Sequence, residues 1–258
     1  MKSRTVAMIE AIAMSWIVAL AACGGSGGNG GAAPPPEPAP SAQGLWTGST
    51  NTSRSVTGIV LDGGTYWVLY SFPHASSFIA GVVQGTAGSV NGSFSSSDAI
   101  DFNLEGQGFN NATVSASYVV KQSFNGSVTY PNPNQTFTFT SSYNPDYDQT
   151  PSVSAIAGTY IGIASVAGSN EAITLVISSQ GVVGGTGGTS GCQYLGAAVP
   201  RAKGNLYDLS VAIGGGACPN GTTAVTGIGY FDASAKRLYL AALNKSRSNG
   251  LIFVGIKS

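Results

Sequence analysis

The sequence predicts an all-β protein: tandem small antiparallel β-barrel-like or sandwich domains, carried behind a disordered tether. Three observations lead there. Only 9% of the 258 residues are charged, so the Glu, Lys and Gln vocabulary of helix surfaces is missing. Ser, Thr, Asn and 37 glycines supply the vocabulary of strand surfaces and turns instead. From Gly44 onward, short runs of alternating apolar and polar residues recur roughly every 8–12 residues, the spacing of an antiparallel sandwich or barrel.

The chain opens differently. Lys2 and Arg4 precede an apolar run from Ala11 to Ala22, interrupted upstream only by Glu10. A basic start, an apolar stretch of about 12 residues and small residues before a cut describe a secretory signal over 1–22, not a spanning helix. Leu20-Ala21-Ala22-Cys23 resembles the lipobox of bacterial lipoproteins. The resemblance implies that Cys23 is lipidated and becomes the first residue of a chain held to a membrane by acyl chains. Each buried methylene of such an anchor contributes about 0.8 kcal/mol. Gly24 after the cysteine, where aspartate is absent, is compatible with the outer membrane on the same resemblance. Residues 23–43, glycine-rich and then proline-rich, cannot bury apolar surface and read as a tether with a coil reach of about 25 Å. Gly24-Gly25-Ser26-Gly27-Gly28 matches the G-x-S-x-G hydrolase pattern but lacks the strand before and helix after that a nucleophile elbow needs.

Candidate strands of a first β domain (44–148) run over 45–50, 55–61, 65–71, 78–85, 89–95, 99–104, 112–120, 123–130 and 135–142. Thr136-Phe137-Thr138-Phe139-Thr140 is a clean period-2 segment with phenylalanines on one face. Asp62-Gly63 reads as the turn between the second and third strands; Asn91-Gly92 and Asn125-Gly126 read as turns or bulges. Residues 143–153 carry two prolines and mark the internal boundary. Thr150-Pro151 there has the form of a helix N-cap and first residue, for a short helix ending at Gly158. The second β domain (149–258) supplies strands near 159–165, 171–178, 181–186, 192–199, 205–213, 223–231, 237–243 and 251–256.

Gly44-Leu45-Trp46-Thr47-Gly48 returns as Gly158-Thr159-Tyr160-Ile161-Gly162 about 114 residues later, a spacing suited to a repeated domain rather than a solenoid. Gly-x-Trp opening a small antiparallel barrel resembles the start of lipocalins and avidins, and the strand count resembles the lipoprotein barrels of transferrin-binding proteins. Those resemblances imply a barrel interior able to carry a small ligand. An aromatic plugging one barrel end accounts for the same residues without a ligand. Trp46, Trp67 and Tyr160 are therefore candidates either for ligand contact or for closing a barrel end. Tyr66, Val68 and Tyr70 share one face of their strand and Trp67 and Leu69 the other, so a strand buried on both faces is expected.

With Cys23 on lipid, Cys192 and Cys218 remain as a pair in an oxidising compartment. Closing that loop of about 27 residues stabilises by roughly 3–4 kcal/mol on the chain-entropy model. Two buried free thiols are the alternative, and a metal site has no CxxC to stand on.

Catalytic vocabulary is thin. His74 is the single histidine, follows Phe72-Pro73 in an expected loop, and could serve a triad only with Asp98 or Asp101. The carboxylates Asp62, Asp98, Asp101, Glu105, Asp146, Asp148, Glu171, Asp208 and Asp232 mostly have the neighbours of turn residues. Asp146-Tyr-Asp148 lacks the oxygen ligands of a calcium loop. No metal and no cofactor is implied. Net charge is zero with no basic block, against nucleic-acid binding; Lys236, Arg237, Lys245, Arg247 and Lys257 give the end only a mild positive bias. The expected function is a non-enzymatic, lipid-anchored protein of the bacterial cell envelope. It is expected to bind a macromolecular partner, a protein or glycan, or to support the envelope, and to hold the membrane through its anchor. A small-ligand carrier is the alternative, and a glycan hydrolase the remote one.

Overall fold

The computed structural model describes residues 41–166 and 168–258. The signal peptide, the lipidation residue Cys23 and the tether up to residue 40 lie outside the described residues. The last tether positions do not behave as a tether: Ala42 is fully buried and Gln43 donates to the Tyr147 hydroxyl at 2.9 Å.

Alternation has produced two closed, eight-stranded antiparallel barrels in tandem, which resolves barrel against sandwich. The first is built from β1 (Gly44–Thr50), β2 (Ser55–Val60), β3 (Thr65–Phe72), β4 (Ala75–Thr86), β5 (Gly88–Val90), β6 (Ser93–Asn103), β7 (Gly108–Val119), β8 (Ser123–Pro131) and β9 (Asn134–Tyr143). Strands β4 and β6 close it, with Val83 opposite Asp101, and β5 is a short addition along β6. The second uses β10 (Gly158–Val166), β11 (Ser169–Ile177), β12 (Val182–Gly187), β13 (Gln193–Pro200), β14 (Tyr207–Gly214), β15 (Thr223–Asp232), β16 (Arg237–Leu243) and β17 (Gly250–Lys257). Strand β10 pairs with both β11 and β17. Neither barrel leaves a free sheet edge across its closure.

Three local readings need correction. Strands expected at 89–95 and 99–104 are divided elsewhere: Asn91 and Gly92, both at positive φ, turn the chain between β5 and β6, and β6 then runs on unbroken to Asn103. What looked like a gap at 96–98 is a β-bulge, a register shift between Ser96 and Ala99. The short helix, Val153–Ile156, is capped by Ser152, whose side chain accepts from the Ala155 N–H, and not by Thr150. In the β2–β3 turn the positive φ falls on Gly64, not Gly63.

The repeated Gly-x-aromatic-x-Gly has one geometry in both barrels. Trp46 Nε1 donates to the Ala42 carbonyl at 2.9 Å, and the Tyr160 hydroxyl donates to the Ile156 carbonyl at 2.7 Å. Each ring thus ties the entering chain to the strand four residues on, and each is buried to 1% or less. The second glycine permits closure: a Cβ on Gly48 would sit 1.9 Å from the Thr140 carbonyl oxygen of β9, and one on Gly162 2.2 Å from that of Val254 in β17.

Between the barrels lies a third core. Leu45, Ile59, Trp67, Leu69, Val82 and Phe102 from the first pack with Leu206, Ile228, Tyr230, Ala241, Leu243 and Ile252 from the second. Strand β3 is consequently buried on both faces, Tyr66 and Tyr70 inward and Trp67 and Leu69 toward the neighbour. Polar clamps border this core: Arg201 on Asp62 at 3.1 Å and the Tyr230 hydroxyl on Asp146 at 3.0 Å. Cys192 and Cys218 are disulfide-bonded, Cα atoms 4.9 Å apart, pinning the start of β13 to the β14–β15 loop.

Candidate ligand-binding site

The interiors of the barrels differ. In the second, Tyr160, Leu175, Val183, Tyr194, Leu240 and Phe253 belong to one continuous buried cluster. In the first, Trp46, Phe94 and Phe124 pack together, with ring centroids 5.4 Å apart for Trp46–Phe124 and 4.9 Å for Phe94–Phe124. Beyond them lies a cavity of about 150 Å³ that extends to the β1–β2, β6–β7 and β8–β9 turns. In other proteins an engineered cavity of that size admits benzene.

Its aromatic lining comes from inward positions of four strands: Tyr66 and Tyr70 on β3, Phe94 on β6, Phe124 and Tyr130 on β8, Phe137 and Phe139 on β9. The alternation of 136–140 places those phenylalanines inside and leaves Thr136, Thr138 and Thr140 exposed. A Cβ on Gly81 would fall 2.2 Å from the Tyr70 hydroxyl oxygen, so glycine in β4 is what lets Tyr70 lean across the barrel.

One carboxylate sits among these rings. Asp101 is 3% exposed; its Oδ1 accepts from the Tyr70 hydroxyl at 2.8 Å and its Oδ2 from Tyr130 at 2.9 Å. Asn103 Nδ2 donates onward to the Tyr70 oxygen at 3.1 Å. Burial dominates and pushes the Asp101 carboxyl up to about 6, against the pull of both tyrosine hydrogen bonds; Glu105 adds to the rise and Arg54 opposes it. Burial, followed by the neighbouring Asp101 charge, holds the Tyr70 and Tyr130 phenols above their usual value, so both stay protonated donors at neutral pH. Nearer the turns, Arg54 pairs with Glu105 at 2.9 Å, donates to the Ser71 carbonyl at 2.9 Å and lies over the Tyr70 ring at 5.6 Å.

Of the residues singled out from sequence, Asp101 and Glu105 line the cavity, whereas the aromatic candidates, His74 and the other carboxylates fall elsewhere. Trp46 and Tyr160 close barrel ends, and Trp67 faces the inter-barrel core; none of the three lines the cavity. His74 occupies the β3–β4 turn at φ 56°, its N–H on the Ser53 carbonyl at 2.9 Å. Asp98 is engaged with the Thr86 N–H and Ser96 Oγ, at 2.8 and 3.0 Å, outside the cavity that Asp101 lines. Asp146 and Asp148 are held by Gln149, Tyr230, Lys121 and Tyr143. Arg247, one of the basic residues of the last third, donates to the Gln84 carbonyl across the two barrels.

The inward orientation of Asp101 does not follow from the sequence pattern. Phe94 and Ser96 point inward, and simple alternation would send Asp98 in and Asp101 out. The bulge between Ser96 and Ala99 reverses the parity, so that Ala99, Asp101 and Asn103 point in. A bulge commonly re-aims a side chain in this way. The signal was present only as a break in the alternation at 96–98.

Fold and cavity define the class: an all-β chain of two closed barrels, the first holding a ligand-sized space. No family model and no curated protein matches the chain. Among solved structures it is similar to a candidate outer membrane protein from Bacteroides fragilis, at 14% identity over 84% of this chain and 96% of that one. The TM-score is 0.24, too low for that likeness to inform fold or function here.

Proposed function

We propose that this chain is a non-enzymatic, lipid-anchored envelope protein whose first barrel binds a small ligand, with the second barrel as its packed support. The observation that carries the reading is the cavity: the interior of the first barrel holds a space of about 150 Å³ with a buried carboxylate among aromatic rings. Small-molecule sites have this make-up, mostly apolar with a few placed polar groups. The non-enzymatic part has support in how the polar groups are occupied. Both Asp101 oxygens accept from phenols, Glu105 is paired with Arg54, and His74 stands apart, so among the described residues these groups are not aimed at a nucleophile.

Filling the cavity tests the reading. Val128 lines it, and Val128→Phe in the whole chain should leave the fold intact and remove uptake of benzene-sized probes, followed by thermal shift. Equal uptake by both forms would place the probe outside the barrel and end the proposal. The anchor is tested by labelled palmitate on cells: incorporation that Cys23→Ala abolishes supports it, and labelling indifferent to Cys23 does not.

A second reading, a protein partner on the outside of the second barrel, is favoured by one observation. Ile161 and Ile256 are paired across β10 and β17 and both are exposed, as are Val176, Val182 and Leu195 on β11–β13. A photocrosslinker at position 161 should yield one adduct of defined mass on cells. A pattern identical to that from the exposed turn residue Ser234 would dismiss this partner.

A further inference from the structure

We infer that the ligand of the first barrel is a small organic ammonium, a protonated primary amine on an apolar body no larger than a benzene ring, seated with its charged end on Asp101. This rests on the reading of that cavity as a ligand site.

Charge is the first ground. Asp101, Glu105 and Arg54 are the acidic and basic residues lining the cavity, and Arg54 is already committed to Glu105, the Ser71 carbonyl and the Tyr70 ring. An arriving anion would have to break that pairing and approach Asp101. Among the described residues Asp101 forms no ion pair; Arg54, committed to Glu105, acts on it only from a distance. The only hydrogen-bond donors to Asp101 there are two neutral phenols, one per oxygen. A carboxylate offers about four lone-pair sites, so each oxygen keeps a direction open for an N–H donor. An unpaired buried carboxylate is costly, and a bound cation offsets that cost.

The walls are the second ground. Rings of Tyr66, Tyr130, Phe94 and Phe137 present aromatic groups to the same space, and the negative ring face attracts an ammonium, most strongly where water is excluded. The volume, about 150 Å³, sets the third limit and admits little beyond one small ring. Donors suit the carboxylate, rings suit a cation, and size suits a small body.

Three probes of one shape separate charge from shape: benzylamine, benzyl alcohol and benzoate, titrated calorimetrically into the unmodified full-length chain at pH 7.5. The amine should bind at least about tenfold more tightly than the alcohol, and benzoate should bind least. In Asp101→Asn the advantage of the amine over the alcohol should disappear. Near pH 6, amine binding should also release a proton from Asp101, seen as an enthalpy that varies with buffer ionisation. The groups facing Asp101 in that titration are Tyr70, Tyr130, Glu105 and Arg54. If alcohol and amine bind equally, and Val128→Phe abolishes both, the cavity stands and the ammonium assignment falls. Strongest binding by benzoate overturns the assignment as well. No binding of any probe overturns both the assignment and the ligand-site reading beneath it.

Discussion

Each barrel buries one carboxylate, and the two have opposite fates. Glu171, in the second, accepts from the N–H groups of Thr189 and Ser190 at 3.2 and 3.1 Å and from the hydroxyls of Ser190 and Tyr194 at 2.8 and 3.2 Å. Burial tends to raise its carboxyl, but the Ser190, Thr189 and Tyr194 bonds outweigh it and hold the group below its ordinary value. Asp101 receives two phenols and, among the described residues, no backbone N–H, and it ends at about 6. The difference teaches what a buried charge is for. Four donors make Glu171 a clamp on the β12–β13 turn; two donors beside open space leave Asp101 short of partners and available to a ligand.

That contrast can be broken at several points. Phe253→Ala, in the buried cluster of the second barrel, should cost about 3–5 kcal/mol in denaturant unfolding, whereas Phe139→Ala, beside the cavity, should cost less than half as much. Equal losses would mean that the first barrel is as tightly filled as the second. Cys218→Ser should cost about 2–4 kcal/mol, an effect seen only under oxidising conditions, since reduced wild type would match it. Gly48→Ala and Gly162→Ala should destabilise alike, by about 1–3 kcal/mol each, because both Cβ atoms would meet a carbonyl of the last strand of their barrel. Unequal losses would show that the two closures are not equivalent.

The carboxylates predict opposite pH signs. Glu171 has a depressed folded value, so its contribution is present above the ordinary carboxyl value of 4.5 and lost as pH falls through the lower folded one. Glu171→Gln should therefore remove about 1–2 kcal/mol at pH 7 and flatten the acid limb of the stability curve. Asp101 is raised from 3.8 to about 6; its favourable term is complete below 3.8 and disappears as pH climbs through 6. Asp101→Asn should thus be as stable as wild type or more so at pH 7.5, by up to about 2 kcal/mol, with no inflection between pH 4 and 6. An Asp101→Asn protein that loses stability at pH 7.5 would make Asp101 a clamp of the Glu171 kind.

Much of the architecture could be read along the chain. Strand-sized alternation, the returning Gly-x-aromatic-x-Gly and the Cys192–Cys218 pair are local or nearly local signals, because a closed barrel imposes period two on every strand and an aromatic at each entry. All nine segments expected before residue 143 overlap barrel strands, two of them falling on β6, and those after 158 match the second barrel one for one. Turn chemistry was less legible at single-residue resolution: Ser152 rather than Thr150 caps the helix, since both types can cap and only the backbone path chooses.

By itself, then, the sequence determined an all-β chain with repeated barrel openings, and a Leu-Ala-Ala-Cys motif that reads as an anchor. Tertiary structure alone decided which residues face which interior. One bulge in β6 reverses inward parity at Asp101, and only closure of β4 on β6, with Tyr70 and Tyr130 reaching in from β3 and β8, makes a carboxylate with turn-like neighbours the centre of a cavity. The physical reason is that alternation is set by neighbours along the strand, whereas burial and charge are set by partners some 30 residues away, which a single chain's pattern does not encode.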